Sequence, residues 1–269
     1  MKTSGHHMKK IILAIFILAV IAGSGRGLGF LVTPPRCELT MASGQSQTVI
    51  INIINKDSTA PLRLKVSVKG WEKEKNGQIT YYDPAGKNRS CGNWLEVNPS
   101  EFEMPAGGVE AARFTVTVPE TVNGSYWAII FFESQPDTMV KTTVGVRFVG
   151  RVGVSVYVNV DGTLQYQSEM TGLSYKRGGY KKHEFKVGIK NSGNAYFRPK
   201  GTVEIKDAAG KKINTTPFPD DLVVLPGAQN DIKITINEVI PPGHYSANIT
   251  IDCGQPELLE GETSFEVVP

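Results

Sequence analysis

The sequence is poor in the residues that chemistry usually needs. Four histidines are present, of which His6 and His7 lie at the extreme N-terminus, leaving His183 and His244 far apart and away from any Cys or carboxylate at a ligand spacing. That excludes a zinc site of the usual kinds. There is no Gly-x-Ser-x-Gly elbow, and Gly23 to Gly29 has neither the spacing of a phosphate loop nor a strand-then-helix context. Asp83-Pro84-Ala85-Gly86 and Asp207-Ala208-Ala209-Gly210 lack the further carboxylates of a calcium loop and read as β-turns. Asp220-Asp221 is an adjacent acid pair, but neighbouring strand residues point to opposite faces, which spoils it as a catalytic dyad. The chain therefore reads as non-enzymatic, with no metal and no cofactor.

Charge of one sign is also lacking. Lys2, Lys9 and Lys10 belong to the N-terminal segment, and setting them aside from 29 basic residues leaves 26 against 26 acidic ones. A neutral chain lacks the basic footprint of a nucleic-acid binder. The one basic cluster, Lys176 to Lys182 around Gly178-Gly179, reads as a solvated hairpin turn. Cysteine is scarce and odd in number: Cys37, Cys91 and Cys253. Cys37 with Cys91 is the preferred pair because both fall in the first half, leaving Cys253 free, buried or intermolecular; three unpaired thiols stay open as the alternative. Long apolar runs are limited to Ile11–Ile21, which is too short to span a bilayer comfortably. Preceded by Lys9-Lys10 and followed by Ala22, Gly23 and Ser24, it has the order of a secretory signal, with Met8 as an alternative start. We expect residues 1–24 to be a cleaved signal peptide, the mature chain to be periplasmic or otherwise extracytoplasmic, and no stable membrane insertion once the signal is gone.

What the sequence does have is β grammar, with no amphipathic helix anywhere. The longest element is the ribbon Val144–Val160, in which Val144, Val146, Phe148, Val152, Val154, Val156, Val158 and Val160 share one parity, broken only by Gly150. A period of two puts them on one face of an extended strand. At roughly 3.3 Å per residue the ribbon spans more than 50 Å, so it is expected to close a first domain and carry the chain into a second, bending at Gly150 and Gly153. Phe30 to Leu39 reads as an edge strand that switches partners at Pro34-Pro35, and the doubly apolar Tyr126–Phe132 as a central strand. His183, on the apolar parity of its strand, reads as a core histidine.

The second half repeats the first. Ile53-Ile54-Asn55 is matched by Ile189-Lys190-Asn191, and the turn Pro105–Gly108 by Pro226-Gly227. The alternation Phe114, Val116, Val118 is matched by Ile232, Ile234, Ile236, and Gly124-Ser125-Tyr126 by Gly243-His244-Tyr245. Two copies of one architecture, each of about seven short strands, imply two tandem immunoglobulin-like β-sandwiches in an all-β protein, over residues 25–160 and 161–269. Tyr126 and Tyr245 fall where a tyrosine corner forms.

The first half resembles the PapD-like periplasmic pilus chaperones, boomerang-shaped pairs of immunoglobulin-like domains that hold an incomplete pilin subunit by lending it a strand. The matching pieces are Pro35-Arg36-Cys37-Glu38-Leu39, the strand ending Ile53-Ile54-Asn55, the turn and alternating strand from Pro99 to Val118, and the long late strand with its three alternating apolar residues, a basic residue and an apolar run. The second half is similar to generic immunoglobulin-like modules of bacterial surface proteins. The resemblance implies a pilin-like exported partner held by edge-strand pairing, with Val144, Val146 and Phe148 as the lent residues and Arg36 as an anchor for the partner's terminal carboxylate. The family's second anchor, a late-strand Lys, falls at Gly153, and Arg151, two residues away, is the nearest substitute. The opposite possibility is that all three apolar side chains fill their own sandwich. Rival classes are a cell-surface adhesion or scaffold protein and, further off, a carbohydrate-binding module using Trp71, Trp94 and Tyr81-Tyr82 for stacking.

Overall fold

Alternating apolar residues can be buried only if each strand finds a second layer, and the chain solves this twice. The computed structural model describes residues 29–74, 77–86, 89–135 and 149–268. The first half forms β1 (Phe30–Thr33), β2 (Arg36–Met41), β3 (Ser46–Asn55), β4 (Leu62–Lys73), β5 (Ile79–Tyr82), β6 (Leu95–Asn98), β7 (Glu101–Met104), β8 (Val109–Thr117), β9 (Ser125–Ser134) and β10 (Arg151–Val160). One sheet runs β1-β3-β8-β6 and the other β2-β10-β9-β4-β5, with β7 beside β4. The second half forms β11 (Ser168–Gly179), β12 (Lys182–Asn191), β13 (Lys200–Asp207), β14 (Lys212–Pro217), β15 (Gln229–Ile236), β16 (Gly243–Asp252) and β17 (Leu259–Val267). Its sheets run β11-β12-β15 and β14-β13-β16-β17. The protein is an all-β pair of immunoglobulin-like sandwiches, and among the described residues no helix is long and apolar enough to cross a membrane.

The first strand changes sheet where the two prolines stand. β1 pairs antiparallel with β3 in one sheet, and after Pro34-Pro35 the chain re-enters as β2, parallel to β10 in the other. Proline supplies no N–H to a ladder, so the crossing falls where ladder bonds are dispensable. β9 is central, between β10 and β4, and Ala128, Ile130 and Phe132 on one face and Trp127, Ile129 and Phe131 on the other are all buried. Its apolar residues on both parities thus serve two separate cores.

The ribbon departs from expectation. β10 stays wholly within the first sandwich: Val154, Val156, Val158 and Val160 all enter the first core, and none reaches the second. Periodicity identifies a strand's face but not the point at which it leaves its sheet. Gly153 marks no bulge either, since the register with β9 runs unbroken from Arg151↔Glu133 to Asn159↔Ser125. A Cβ there would lie 2.5 Å from the Ile129 Cδ1 and 3.1 Å from the Phe131 ring, so the glycine leaves room for its cross-strand neighbours. The expected Cys37–Cys91 pair is not formed, and all three cysteines are free and buried. Cys37 pairs with Val156 on β10, Val156 with Ala128 on β9, and Cys91 lies on the far side of β9, its N–H bonded to the Trp127 carbonyl. Three strand spacings of ~4.8 Å put them about 14 Å apart, twice the reach of a disulfide.

The internal repeat holds at atomic detail. Asn55 is buried at the end of β3, where its Nδ2 donates to the Ala60 and Pro105 carbonyls at 2.9 Å and its Oδ1 accepts from Asp57 N at 3.0 Å. Asn191 ends β12 in the same way, donating to Ala195 O at 2.8 Å and Val224 O at 3.1 Å and accepting from Gly193 N at 3.0 Å. The tyrosine corner forms in the second sandwich, where Tyr245 Oη donates to Pro241 O at 2.8 Å. In the first, Tyr126 instead packs on Trp94 at 4.3 Å. Trp94 is partly buried there, and Trp71 is buried to 4% exposure. His183 is fully buried, with Nδ1 2.8 Å from Tyr175 Oη.

Candidate functional site

The two sandwiches meet through a third apolar cluster: Trp71, Trp127, Ile129, Phe131 and Tyr157 from the first, Tyr196, Val223 and Leu225 from the second. Polar bonds fix the same junction. Ser125 N donates to Asn194 O at 2.9 Å, Tyr196 N to Ser125 Oγ at 3.1 Å, and Gly124 N to Thr163 Oγ1 at 2.8 Å. Gly124 has φ +78°, and a Cβ there would sit 2.5 Å from Asn194 O, so the glycine is required both by its backbone and by the close approach of the second sandwich.

Beside this junction opens a cleft of about 560 Å³, walled by Trp71, Tyr81, Ile129 and Tyr157 on one side and Arg198 and Val223 on the other, with Arg36 at its rim. Arg36 and Glu38 are two residues apart on β2 and so share a face. The Arg36 Nε lies 2.9 Å from Glu38 Oε1, and Arg198 reaches the same oxygen from the second sandwich with its Nε at 2.8 Å. Arg198 also lies over the rings of Tyr157 and Tyr196, at 5.2 and 5.9 Å from their centroids. Burial pushes the Tyr157 phenol up, against the pull of Arg198. Burial, reinforced by the Glu38 carboxylate, pushes Tyr196 up further. Both phenols therefore remain neutral at physiological pH.

Among the described residues, the sheet edge leading into this cleft is open. β2 covers β10 only from Ser155, opposite Arg36, to Val160, opposite Met41. Ser155 N bonds to Pro35 O on that side, whereas Gly150 O accepts from Ser134 N on the β9 side. Alternation then aims the N–H and C=O groups of Arg151 and Gly153 outward, and among the described residues no strand pairs with them.

The expected site residues are thus partly brought together. Arg36 stands in the cleft. Arg151 opens β10 four residues before Arg36's register partner, about 13 Å along the strand, where it pairs with Glu133 and lies over the Phe131 ring at 5.0 Å. Val144, Val146 and Phe148 lie outside the described residues. Sequence reasoning missed Arg198 and Glu38. The shared parity of Arg36 and Glu38 was visible, but Arg198 is 160 residues from Glu38 and only the fold joins them.

Fold and cleft together define a two-sandwich β protein with a sheet edge, unpaired among the described residues, running into a cleft that carries two guanidinium groups. No family model and no curated protein matches the chain. Solved structures do align with it. A chaperone–tip adhesin complex of CFA/I fimbriae biogenesis aligns at a TM-score of 0.47 and 15% identity, over 89% of this chain and 99% of its own. The class 5 fimbriae chaperone CfaA aligns at 0.45 and 15%, over 89% and 99%. The E. coli chaperone DraB aligns at 0.44 and 14%, over 90% and 97%. Each is described as a chaperone or as a complex that contains one.

Proposed function

We propose that this protein is an exported, non-catalytic chaperone of the pilus-assembly type, which holds a partner subunit by pairing a strand of it with the open edge of β10. In this reading residues 1–24 direct export to the periplasm, and residues 25–160 and 161–269 are the two domains. The observation that supports it is the edge at Arg151 and Gly153, uncovered among the described residues, which ends at Arg36 and the mouth of the cleft. An edge of this kind offers main-chain hydrogen bonds, and alternate side chains supply specificity. A guest strand running parallel to β10, as β2 does, brings its C-terminal carboxylate to Arg36. Val144, Val146 and Phe148 continue the same strand pattern toward the N-terminus in the sequence, and each contributes roughly 1.5 to 3 kcal/mol if buried by a guest.

The test is affinity capture from the exporting cell with wild-type protein and with Val146→Glu and Arg36→Ala variants. Losing one buried side chain and burying a charge instead costs at least about 3 kcal/mol, or roughly a hundredfold in affinity. Val146→Glu should lose the co-purifying subunit while keeping the wild-type thermal midpoint. An undiminished catch by that variant removes the strand-lending role.

A further inference from the structure

The second sandwich is not basic as a whole: residues 161–269 include 12 Lys or Arg and 14 Asp or Glu. Yet seven of those cations sit on β11, β12, β15 and the turn joining the first two, against three acids, Glu169, Glu184 and Asp231. Four of the seven, Lys176, Arg177, Lys181 and Lys182, crowd the turn itself. This turn lies at the pole of the sandwich away from the first domain. β12 runs from Lys182 at the turn to Asn191, next to the loop whose Asn194 and Tyr196 bond to Ser125.

Apolar side chains gather at the same pole. Tyr180, in the β11–β12 turn, is 71% exposed, and Ile213, Val239 and Val268 are exposed by 39%, 50% and 51%. They come from four separate segments. Ile213 is the extra residue of a β-bulge, since Lys206 pairs with Lys212 and Ile205 with Asn214. Val239 follows β15, whose last residue, Ile236, stands opposite His183 beside the turn. Polar bonds tie the segments together: Asn214 Nδ2 donates to Glu238 Oε2 at 2.9 Å, and Arg177 Nη1 donates to Val268 O. The carboxylates here are spent locally or turned away. Glu184 is bridged by Lys182, Asp207 accepts from the Ala209 and Lys211 amides of its own turn, and Glu266 lies on the outer face of the other sheet. One exposed apolar side chain is ordinary, but four at one end beside a cluster of cations match a layer that is both apolar and anionic.

We propose that this pole is a peripheral contact for an anionic phospholipid surface, with Tyr180 entering the headgroup layer and Lys176, Lys181 and Lys182 facing the phosphates. A tyrosine suits that depth because its ring is apolar while its hydroxyl stays hydrated. The inference does not rest on the chaperone reading, and it leaves the β10 edge free.

The test is flotation of the full chain with vesicles of phosphatidylglycerol and phosphatidylcholine in equal parts, and with phosphatidylcholine alone. Binding to the anionic vesicles only is expected. A cation near an anionic surface is worth about fivefold in affinity, so the double variant Lys176→Gln, Lys181→Gln should bind about 25-fold more weakly. Lys190→Gln removes a cation from the same strand about 27 Å from Lys182, more than two screening lengths at about 0.1 M salt, and should change nothing. All three lysines are exposed, so thermal midpoints should stay at the wild-type value. Tyr180→Trp reports depth: brominated lipid in the anionic vesicles should quench it, whereas Trp71, Trp94 and Trp127 all belong to the first sandwich. Absence of binding to anionic vesicles, undiminished binding by the double variant, an equal loss in Lys190→Gln, or an unquenched Tyr180→Trp variant each overturns the proposal. Release of the bound protein by millimolar inorganic phosphate does so too, because the pole would then recognise free phosphate rather than a bilayer.

Discussion

Asn55 and Asn191 offer a measurement of how far the two sandwiches are copies in energy as well as in shape. Each buried side chain makes two donor bonds to loop carbonyls and accepts one backbone N–H, so truncation to alanine strands two carbonyls and one amide. At a net value of roughly 1 kcal/mol per bond, each Asn→Ala change should cost about 3 kcal/mol. With a urea dependence of about 2 kcal/mol per molar for a domain of this size, the midpoint of the affected sandwich should fall by about 1.5 M. Asn→Asp should be worse than alanine at both sites, because a carboxylate oxygen would face two carbonyl oxygens at the positions Nδ2 now bonds. All three tryptophans lie in the first half, so their fluorescence follows Asn55 variants, and hydrogen exchange in β12 follows Asn191 variants. A loss below about 0.5 kcal/mol at Asn191 beside the full loss at Asn55 would refute the energetic equivalence. So would alanine proving worse than aspartate at either site.

Two further outcomes follow from burial. Cys37, Cys91 and Cys253 are free, buried and pushed up in pKa by that burial, so Ellman's reagent at pH 8 should find almost no fast-reacting thiol in the native protein and three after denaturation. Recovery of one thiol only would mean that a disulfide forms after all. His183 is lowered by burial and then by Arg177, so the unfolded chain binds a proton that the folded chain resists. Its contribution to stability is present above about pH 6.5, the ordinary histidine value, and falls as pH drops below it. Thermal midpoints between pH 7.5 and 5 should decline less steeply in His183→Phe than in wild type, and parallel slopes would assign the decline to other groups.

Much of the fold was legible because its signals are local. Pro34-Pro35 marked the sheet change, the doubly apolar Tyr126–Phe132 marked the central strand, and Asn55 with Asn191 and Pro105 with Pro226 gave away the repeat. Misreadings came where one local pattern has two tertiary outcomes. Gly153 could be a bend or a slot for Ile129 and Phe131, and only packing decides. Two cysteines in one half could be neighbours or three strands apart, and only strand order decides. The cleft was half legible: Arg36 follows from a resemblance, whereas Arg198 enters through a loop of the other sandwich and leaves no periodic trace.

Under the proposed pairing, the point at which β2 begins would act as an end stop. Pro35 and Arg36 occupy the rim of β10 from Ser155 onward, so a guest strand paired there would advance only so far before it abutted the host's own backbone. Sliding by one residue would turn every side chain to the wrong face, so permissible offsets come in steps of two residues, about 6.6 Å. Collision at one end and pleat along the length together would select a single alignment, and visitors of different composition would be read from the same zero mark.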